Sequence, residues 1–329
     1  QQYVLRRMHE LGNISDVQYE AALKEPLVIK RELAGYAVHA EHAAEMARQI
    51  ATERFPEDVY SRGLKVYTTL IKADQEAAYA SLRRGVMDYD RRHGYRGAES
   101  YLDMKDIKSD QDEAIDEALQ DIPDAGDLIP ALVLAADSKQ IHAYRKGGDI
   151  VTLSGDAMKF AAAMLDDKAP ANKRIKRGAI IRLLKNDKGD WQISQLPEVE
   201  SAFVAVDPKS GAIRALVGGF DFNRNKFNHV TQAWRQPGSS FKPFIYSAAL
   251  EKGFNPSTFI NDEPIVISAS QTGSQAWEPH NYDGKYEGPM QMRTALAKSK
   301  NMVSIRILQA IGTHYAQDYA SRFGFDAEK

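Results

Sequence analysis

The sequence predicts an α+β fold in which an antiparallel sheet packs against helices and a small β-rich block interrupts the chain. Residues 202–219 form two apolar runs, "AFVAV" and "AIRALVGG", joined by the turn sequence "DPKSG". From there to the end of the sequence, apolar residues recur mostly at helical spacing. Between Gly94 and Pro197, short apolar runs are separated by Gly, Asp and Asn, which is typical of a small antiparallel barrel or sandwich.

The composition excludes several classes of function. The 329 residues are enough for two or three domains, and a net charge of -2 gives no support for a nucleic-acid partner. With no cysteine, the chain has no thiol nucleophile, disulfide or cysteine-based zinc site. We expect neither a metal nor an organic cofactor.

The elements before the β-rich block are predicted in chain order from periodicity. Residues 2–24 carry apolar positions at helical spacing, and a second helix is expected in "HAEHAAEMARQIATERF". The segment "GLKVYTTLI" (63–71) alternates like a strand, and a helix is expected to open at Asp74. Because the sequence begins and ends within helical patterns, we expect an internal fragment of a longer protein.

Within the block itself, the predicted strands are "PALVLAAD", "QIHAYRKG", "DIVTL" and the two runs of "RGAIIRLLKNDKGDWQISQLP". "KNDKGD", between the last two runs, is a hairpin signal. After the two apolar runs at 202–219, helices are predicted in "SSFKPFIYSAALEKG", "GPMQMRTALAKSK", "MVSIRILQAIG" and "THYAQDYASRFG".

The first candidate for catalysis is "GSSFKP". If a helix begins near Ser239, Lys242 follows one turn later on the same face, and Pro243 lies in the first turn, where it displaces no intrahelical hydrogen bond. A helix N-terminus favours developing negative charge, so a serine with a lysine at this spacing can be an activated nucleophile. The ordinary alternative is an N-cap serine beside a solvated lysine, since Ser-x-x-Lys arises about once by chance in a chain of this length.

The second candidate is Ser-x-Asn, formed by Ser299 and Asn301 between two helical runs. Alone it reads as a helix break. Its order after Ser-x-x-Lys, however, is the arrangement of penicillin-binding proteins and serine β-lactamases.

Longer stretches make this resemblance specific. "AVDPKSGAIRALVGG", "NHVTQAWRQPGSSFKPFIYSAALEKG" and "WEPHNYDGKYEGPMQMRTALAKSKNMVSIRIL" resemble the transpeptidase domain of class A penicillin-binding proteins, which are bifunctional peptidoglycan synthases. "GLKVYTTL" resembles the beginning of that domain, and "QQYVLRRMHELGNISDVQYEAAL" the end of the glycosyltransferase domain before it. The β-rich block is similar in position to an inserted OB-like domain. The implied boundaries are 1–58 (glycosyltransferase tail and linker), 59–93 (first part of the transpeptidase), 94–196 (OB-like insertion) and 197–329 (the transpeptidase, incomplete at its end).

The resemblance implies a DD-transpeptidase that cross-links stem peptides ending in D-Ala-D-Ala and is acylated by β-lactams. Ser239 would be the acylated nucleophile, and its N–H would form half of the oxyanion hole. Lys242 would accept the proton of Ser239, Ser299 would relay a proton to the leaving amine, and Asn301 would bind the substrate amide and hold Lys242. Ser240 is out of register for the nucleophile.

The same resemblance implies partners and a location. An outer-membrane lipoprotein activator would dock on residues 94–196, and the protein would lie at the periplasmic face of the inner membrane, with a single-pass anchor outside this chain. The family's Lys-Thr-Gly element is missing. "QTG" (Gln271–Gly273) comes before Ser-x-Asn and is interpreted as loop. A second polypeptide carrying Lys-Thr-Gly is therefore expected, or else the fragment is inactive.

Two alternatives remain open at this stage. A β-lactamase or carboxypeptidase would use the same acylation and end in hydrolysis, although neither needs the upstream helix or the inserted domain. A non-catalytic β-lactam sensor or docking module would keep the fold for binding alone. The coding sequence beyond Lys329 would distinguish this second alternative, because such a module would have no Lys-Thr-Gly.

Overall fold

The computed structural model describes residues 2–24, 37–104 and 112–326. The chain divides into two compact units, Gln1–Ala233 and Trp234–Lys329. Across the described ranges, every helix is too short or too polar to cross a bilayer. Mixed helices and antiparallel strands build both units, which confirms the predicted α+β class.

The β-rich block of the first unit is a six-stranded antiparallel sheet. Its strands are β1 (Ser100–Tyr101), β2 (Ile129–Ala136), β3 (Gln140–Arg145), β4 (Asp149–Ser154), β5 (Ala179–Lys185) and β6 (Trp191–Ser194). The order is β1-β5-β2-β3-β4, with β6 also paired to β5. Strands β2 to β6 correspond to the five predicted runs. The predicted hairpin is confirmed, because Lys185 pairs with Trp191 and Asn186 Oδ1 accepts the N–H of Lys188 and of Asp190, each at 2.9 Å.

The core of this block comes from alternating strand positions. Ala131 and Val133 of β2, Ile141 of β3 and Ile181 of β5 are buried together. A 3₁₀ helix, Gly155–Met164, covers the same core with Met158 and Ala161. A helix that was not predicted, α5 (Asp112–Gln120), precedes β2 and buries Ile115 and Leu119 against other strand residues.

The remaining helices of the first unit are α1 (Gln2–Glu10), α2 (Asp16–Lys24), α3 (Glu41–Arg54) and α4 (Lys72–Arg92). The two apolar runs form the predicted antiparallel pair, β7 (Phe203–Val206) and β8 (Ile213–Val217). Helix α4 buries Ala78, Leu82 and Val86, spaced four residues apart, against Ala215 and Val217 of β8. The α4 helix therefore packs on the β7–β8 pair.

The strand predicted at 63–71 is wrong. The segment is extended but joins no sheet, and its links to β8 are a backbone bond from Ile71 N to Arg214 O (2.9 Å) and a side-chain bond from Thr69 Oγ1 to Ile213 O (2.6 Å). A strand needs a repeating ladder, and alternation of side chains alone does not provide one.

The second unit is a helical cluster with one β-hairpin. Its elements are α6 (Lys242–Glu251), β9 (Phe259–Asp262), α7 (Ala269–Thr272), β10 (Gly288–Gln291), α8 (Met292–Ala297), α9 (Asn301–Ile311) and α10 (Thr313–Ser321). Ala248 and Ala249 of α6 pack against Val303 and Ile307 of α9 in its core. The first residues of the two helices also meet, because Lys242 Nζ donates to Asn301 Oδ1 at 2.7 Å.

Two local predictions in this unit are corrected. "GPMQ" was expected to begin a helix, but it forms β10, which pairs with β9 from Gly288↔Asp262 to Gln291↔Phe259. The helix begins only at Met292. "QTG" was interpreted as loop, but Gln271 lies in the single helical turn α7, where its side chain completes a capping box with Ser268, and Gly273 ends the turn at φ 70°.

Candidate active site

The N-terminus of α6 places the first two predicted residues. A 3₁₀ turn, Gly238–Phe241, precedes the helix, and the N–H of Lys242 bonds to the carbonyl of Ser239. Pro243 then lies in the first turn of α6, where no intrahelical partner is lost. Gly238 has φ +53°, which favours glycine just before the serine. Ser239 is therefore presented on an exposed, tightly wound turn.

The link between α8 and α9 places the other two. Lys300 N bonds to Ala295 O (2.9 Å) and Ser299 N bonds to Leu296 O (3.0 Å), the pattern of a helix end whose next residue is left-handed. That residue is Ser299, with φ +55°, and it is the one non-glycine residue with positive φ in the described part of the chain. Glycine usually occupies this position, so the backbone of Ser299 is strained.

The side chain of Lys242 joins the two motifs. It is 8% exposed, and its Nζ donates to Ser299 O (2.6 Å), Ser299 Oγ (3.0 Å) and Asn301 Oδ1 (2.7 Å). The amide of Asn301 is oriented from its other end, because its Nδ2 donates to His280 O at 2.8 Å. Lys242, Ser299 and Asn301 thus form one hydrogen-bonded group.

Burial lowers the pKa of Lys242 from its ordinary value. The three acceptors are neutral oxygens, and no carboxylate bonds to this ammonium group within the described ranges. A lysine that is desolvated without a counter-ion loses its proton more readily than one in water, which suits a general base.

The structure brings together three of the four predicted residues and leaves the fourth beside them. Ser239 is one helical turn from Lys242, but in the described chain its Oγ makes no hydrogen bond to Lys242 Nζ. Sequence reasoning missed the residues that support the Ser-x-Asn turn, namely Asp262, Asn281 and Lys300. A lysine between two helices is ordinarily predicted to be solvated, so no pattern in the sequence indicated that Lys300 is buried.

Comparison with known proteins finds two family matches within the chain. Residues 95–199 match the penicillin-binding protein OB-like domain, and residues 201–329 match the penicillin-binding protein transpeptidase domain. Penicillin-binding protein 1A of Neisseria lactamica is 45% identical over 326 residues, which are 99% of this chain and 41% of that protein. The Escherichia coli protein of the same name is 38% identical over 332 residues, which are 99% of this chain and 39% of that protein.

A solved structure gives the same result. The crystal structure of penicillin-binding protein 1A from Haemophilus influenzae matches with a TM-score of 0.83 and 38% sequence identity, over 99% of this chain and 47% of that one. The fold and the two domains define the chain as part of a penicillin-binding protein. It belongs to the class A penicillin-binding proteins as a relative of penicillin-binding protein 1A, and it spans about two fifths of the length of those relatives.

Proposed function

We propose that this chain carries the acylation centre of a peptidoglycan DD-transpeptidase, with Ser239 as the nucleophile. The observation that carries the proposal is the buried amine of Lys242, which lies one turn after an exposed serine and is held by Ser299 and Asn301. A nucleophile, a base and a group that orients the base are the parts required for covalent acyl transfer.

In the first half of the reaction, Ser239 Oγ attacks the carbonyl carbon of the D-Ala-D-Ala bond while its proton moves to the neutral amine of Lys242. The oxyanion is stabilised by the N–H of Ser239 at the helix start. When the tetrahedral adduct collapses, the C–N bond breaks and the leaving D-Ala amine takes a proton through Ser299. An ester on Ser239 remains.

In the second half, the amine of a neighbouring stem peptide attacks this ester. The ester C–O bond breaks, a new amide forms, and Ser239 regains a proton. A β-lactam enters by the same first step, but its opened ring stays attached, so the ester persists.

Lys242 must change its contacts to act as the base. As an ammonium, it uses its three N–H groups on Ser299 and Asn301. As a neutral amine, it has two N–H donors and one lone pair, so one contact is released and the lone pair is free to accept from Ser239. The lowered pKa of Lys242 supports this exchange.

The larger assignment rests on the family and on packing. Residues 59–93 are proposed to belong with 197–329 in the transpeptidase domain, which is supported by the contact of α4 with β8. Residues 94–196 would form the inserted domain that docks a lipoprotein activator, at the periplasmic face of the inner membrane. A Lys-Thr-Gly element, absent from the 329 residues, would be supplied by a second polypeptide and would bind the substrate carboxylate.

The direct test is intact-mass spectrometry of the native protein after incubation with a penicillin, followed by digestion to locate the adduct. We expect one penicilloyl group on Ser239, and none in Ser239→Ala. Ser240→Ala is the matched control, because Ser240 is equally exposed on the same turn and should leave the adduct in place. A folded native protein that forms no adduct, or an adduct elsewhere, would refute the proposal.

A further inference from the structure

A cluster of charged side chains, centred on the buried Lys300, lies beside the Ser299–Asn301 turn. This lysine is 1% exposed, and its Nζ lies 3.3 Å from Asp262 Oδ2, 3.1 Å from Asp283 Oδ2 and 3.1 Å from Glu287 Oε1. It also donates to Lys285 O at 3.1 Å. Lysine is almost never so deeply buried unless it is paired, and Asp262 itself is fully buried.

Asn281 connects this cluster to the start of α9. Its Nδ2 donates to Asp262 Oδ1 (2.7 Å), and its Oδ1 accepts the N–H of Asn301 (2.8 Å) and of Met302 (3.3 Å). The N-cap residue, Lys300, makes no side-chain cap of its own. An asparagine twenty positions earlier in the chain therefore fills the place of the usual cap.

The three residues of the turn divide their tasks. Ser299 and Asn301 bond to Lys242, whereas the Lys300 side chain between them bonds to the acidic cluster. The left-handed backbone of Ser299 is unfavourable for a serine, so local sequence does not by itself secure the turn. A tertiary anchor is needed to keep it in place.

We infer that Lys300, held by the buried carboxylate of Asp262, is a positioning residue that keeps Ser299 and Asn301 in contact with the base Lys242. The inference rests on the proposed acylation at Ser239. Lys300 acts through the turn and touches no reacting atom. Its role is to place two catalytic side chains at once.

The charge of this anchor is stable. Burial alone would lower the pKa of Lys300, but its bonds to Glu287, Asp283 and Asp262 outweigh burial, and the pKa of Lys300 lies above its ordinary value. The anchor therefore stays charged throughout the range in which Lys242 titrates.

The test compares Lys300→Met with Lys298→Met in the native protein, using the rate of acylation by a fluorescent penicillin. Lys298 is the matched control, because it is on the same link and also bonds to Glu287, at 2.6 Å, but is 49% exposed. We expect acylation about 100-fold slower in Lys300→Met, as for a misplaced catalytic group. Lys298→Met should stay within about threefold of the wild type.

A double-mutant cycle separates positioning from general stability. If Lys300 acts through the turn, Lys300→Met should add little to the loss already caused by removing both positioned side chains in the double variant Ser299→Ala with Asn301→Ala. If it only supports folding, the two losses should multiply. Circular dichroism checks that every variant is folded, and the pair Lys300→Met with Asp262→Asn, which leaves no charged Asp262 unpaired, replaces Lys300→Met if that variant does not fold.

The outcomes are distinct. Equal rates for Lys300→Met and Lys298→Met, or losses that multiply with those of the double variant Ser299→Ala with Asn301→Ala, would overturn the inference while the proposed function stands. A wild-type protein that is not acylated at Ser239 would refute the proposed function itself, and the inference with it.

Discussion

The left-handed backbone of Ser299 allows its hydroxyl chemistry to be separated from its strain by two substitutions. Ser299→Ala removes the hydroxyl and keeps a Cβ at φ +55°, whereas Ser299→Gly removes both the hydroxyl and the Cβ. If the hydroxyl is needed for acylation, both variants should be impaired alike. If the backbone is strained, only Ser299→Gly should recover stability.

The expected stabilities follow from two terms. A residue with a Cβ in the left-handed region costs about 1 kcal/mol or more relative to glycine. The hydrogen bond from Lys242 Nζ to Ser299 Oγ, at 3.0 Å, contributes about 1 kcal/mol, and both variants lose it. Ser299→Gly therefore loses the hydrogen bond but is relieved of the backbone strain, so its stability should be close to that of the wild type. Ser299→Ala loses the hydrogen bond and keeps the strain, so it should be about 1 kcal/mol less stable than the wild type or Ser299→Gly.

Thermal unfolding followed by circular dichroism would rank the three proteins, and stopped-flow acylation by a fluorescent penicillin would measure activity. Both variants should be acylated at least about 100-fold more slowly, the ordinary contribution of a proton-transfer group. Equal midpoints for the two variants, or a lower midpoint for Ser299→Gly, would refute the strain argument. Acylation at the wild-type rate in either variant would refute the role of the hydroxyl.

Two further predictions concern pH and packing. Because burial lowers the pKa of Lys242 and the base must be neutral, the acylation rate should rise with pH through a midpoint below 10.5, and a flat profile in stopped-flow measurements would contradict this. Gly218→Ala would place a Cβ 2.6 Å from His42 Cδ2 and 2.6 Å from Asn228 Oδ1, both buried, so it should cost about 1–3 kcal/mol in thermal unfolding. Gly85→Ala, in α4 with nothing within 4 Å of the new Cβ, should instead gain about 0.5–1 kcal/mol, and an equal loss in both variants would contradict the packing argument.

Much of the fold could be predicted because local periodicity and burial agree. Helix α4 repeats its buried residues every four positions, and the side chains of β2 to β6 alternate along short runs bounded by turn signals. Each segment therefore determines its own secondary structure. The segment at 63–71 alternates equally well and forms no strand, since pairing depends on a partner outside the segment. Strand β10 was missed for the same reason, because its pairing with β9 lies 26 residues back in the chain, at Gly288↔Asp262.

In the candidate site, too, local spacing could be predicted from the sequence and contacts with distant residues could not. Ser239 and Lys242 share a helical turn, so their spacing alone predicts that they share a face. The bonds from Lys242 to Ser299 and Asn301 join residues 57 and 59 positions apart, and only the motif order predicted them. Lys300 lies in the same short motif, yet its partners come from the end of β9, at Asp262, and from the segment that connects β9 to β10. No pattern within the turn specifies that environment.

The proton affinity of Lys242 is a balance that the position of the turn controls. Its contacts with Ser299 and Asn301 favour the ammonium form, whereas burial favours the neutral amine, and the lowered pKa means that burial prevails. If the turn moved away, Lys242 would lose its hydrogen-bond acceptors and would be exposed to water. The stabilising contacts and the burial would therefore change together. Basicity and orientation therefore depend on one structural feature, the strained backbone of Ser299. If Lys300 positions the turn as inferred, the buried Lys300–Asp262 pair beside it holds this backbone in place.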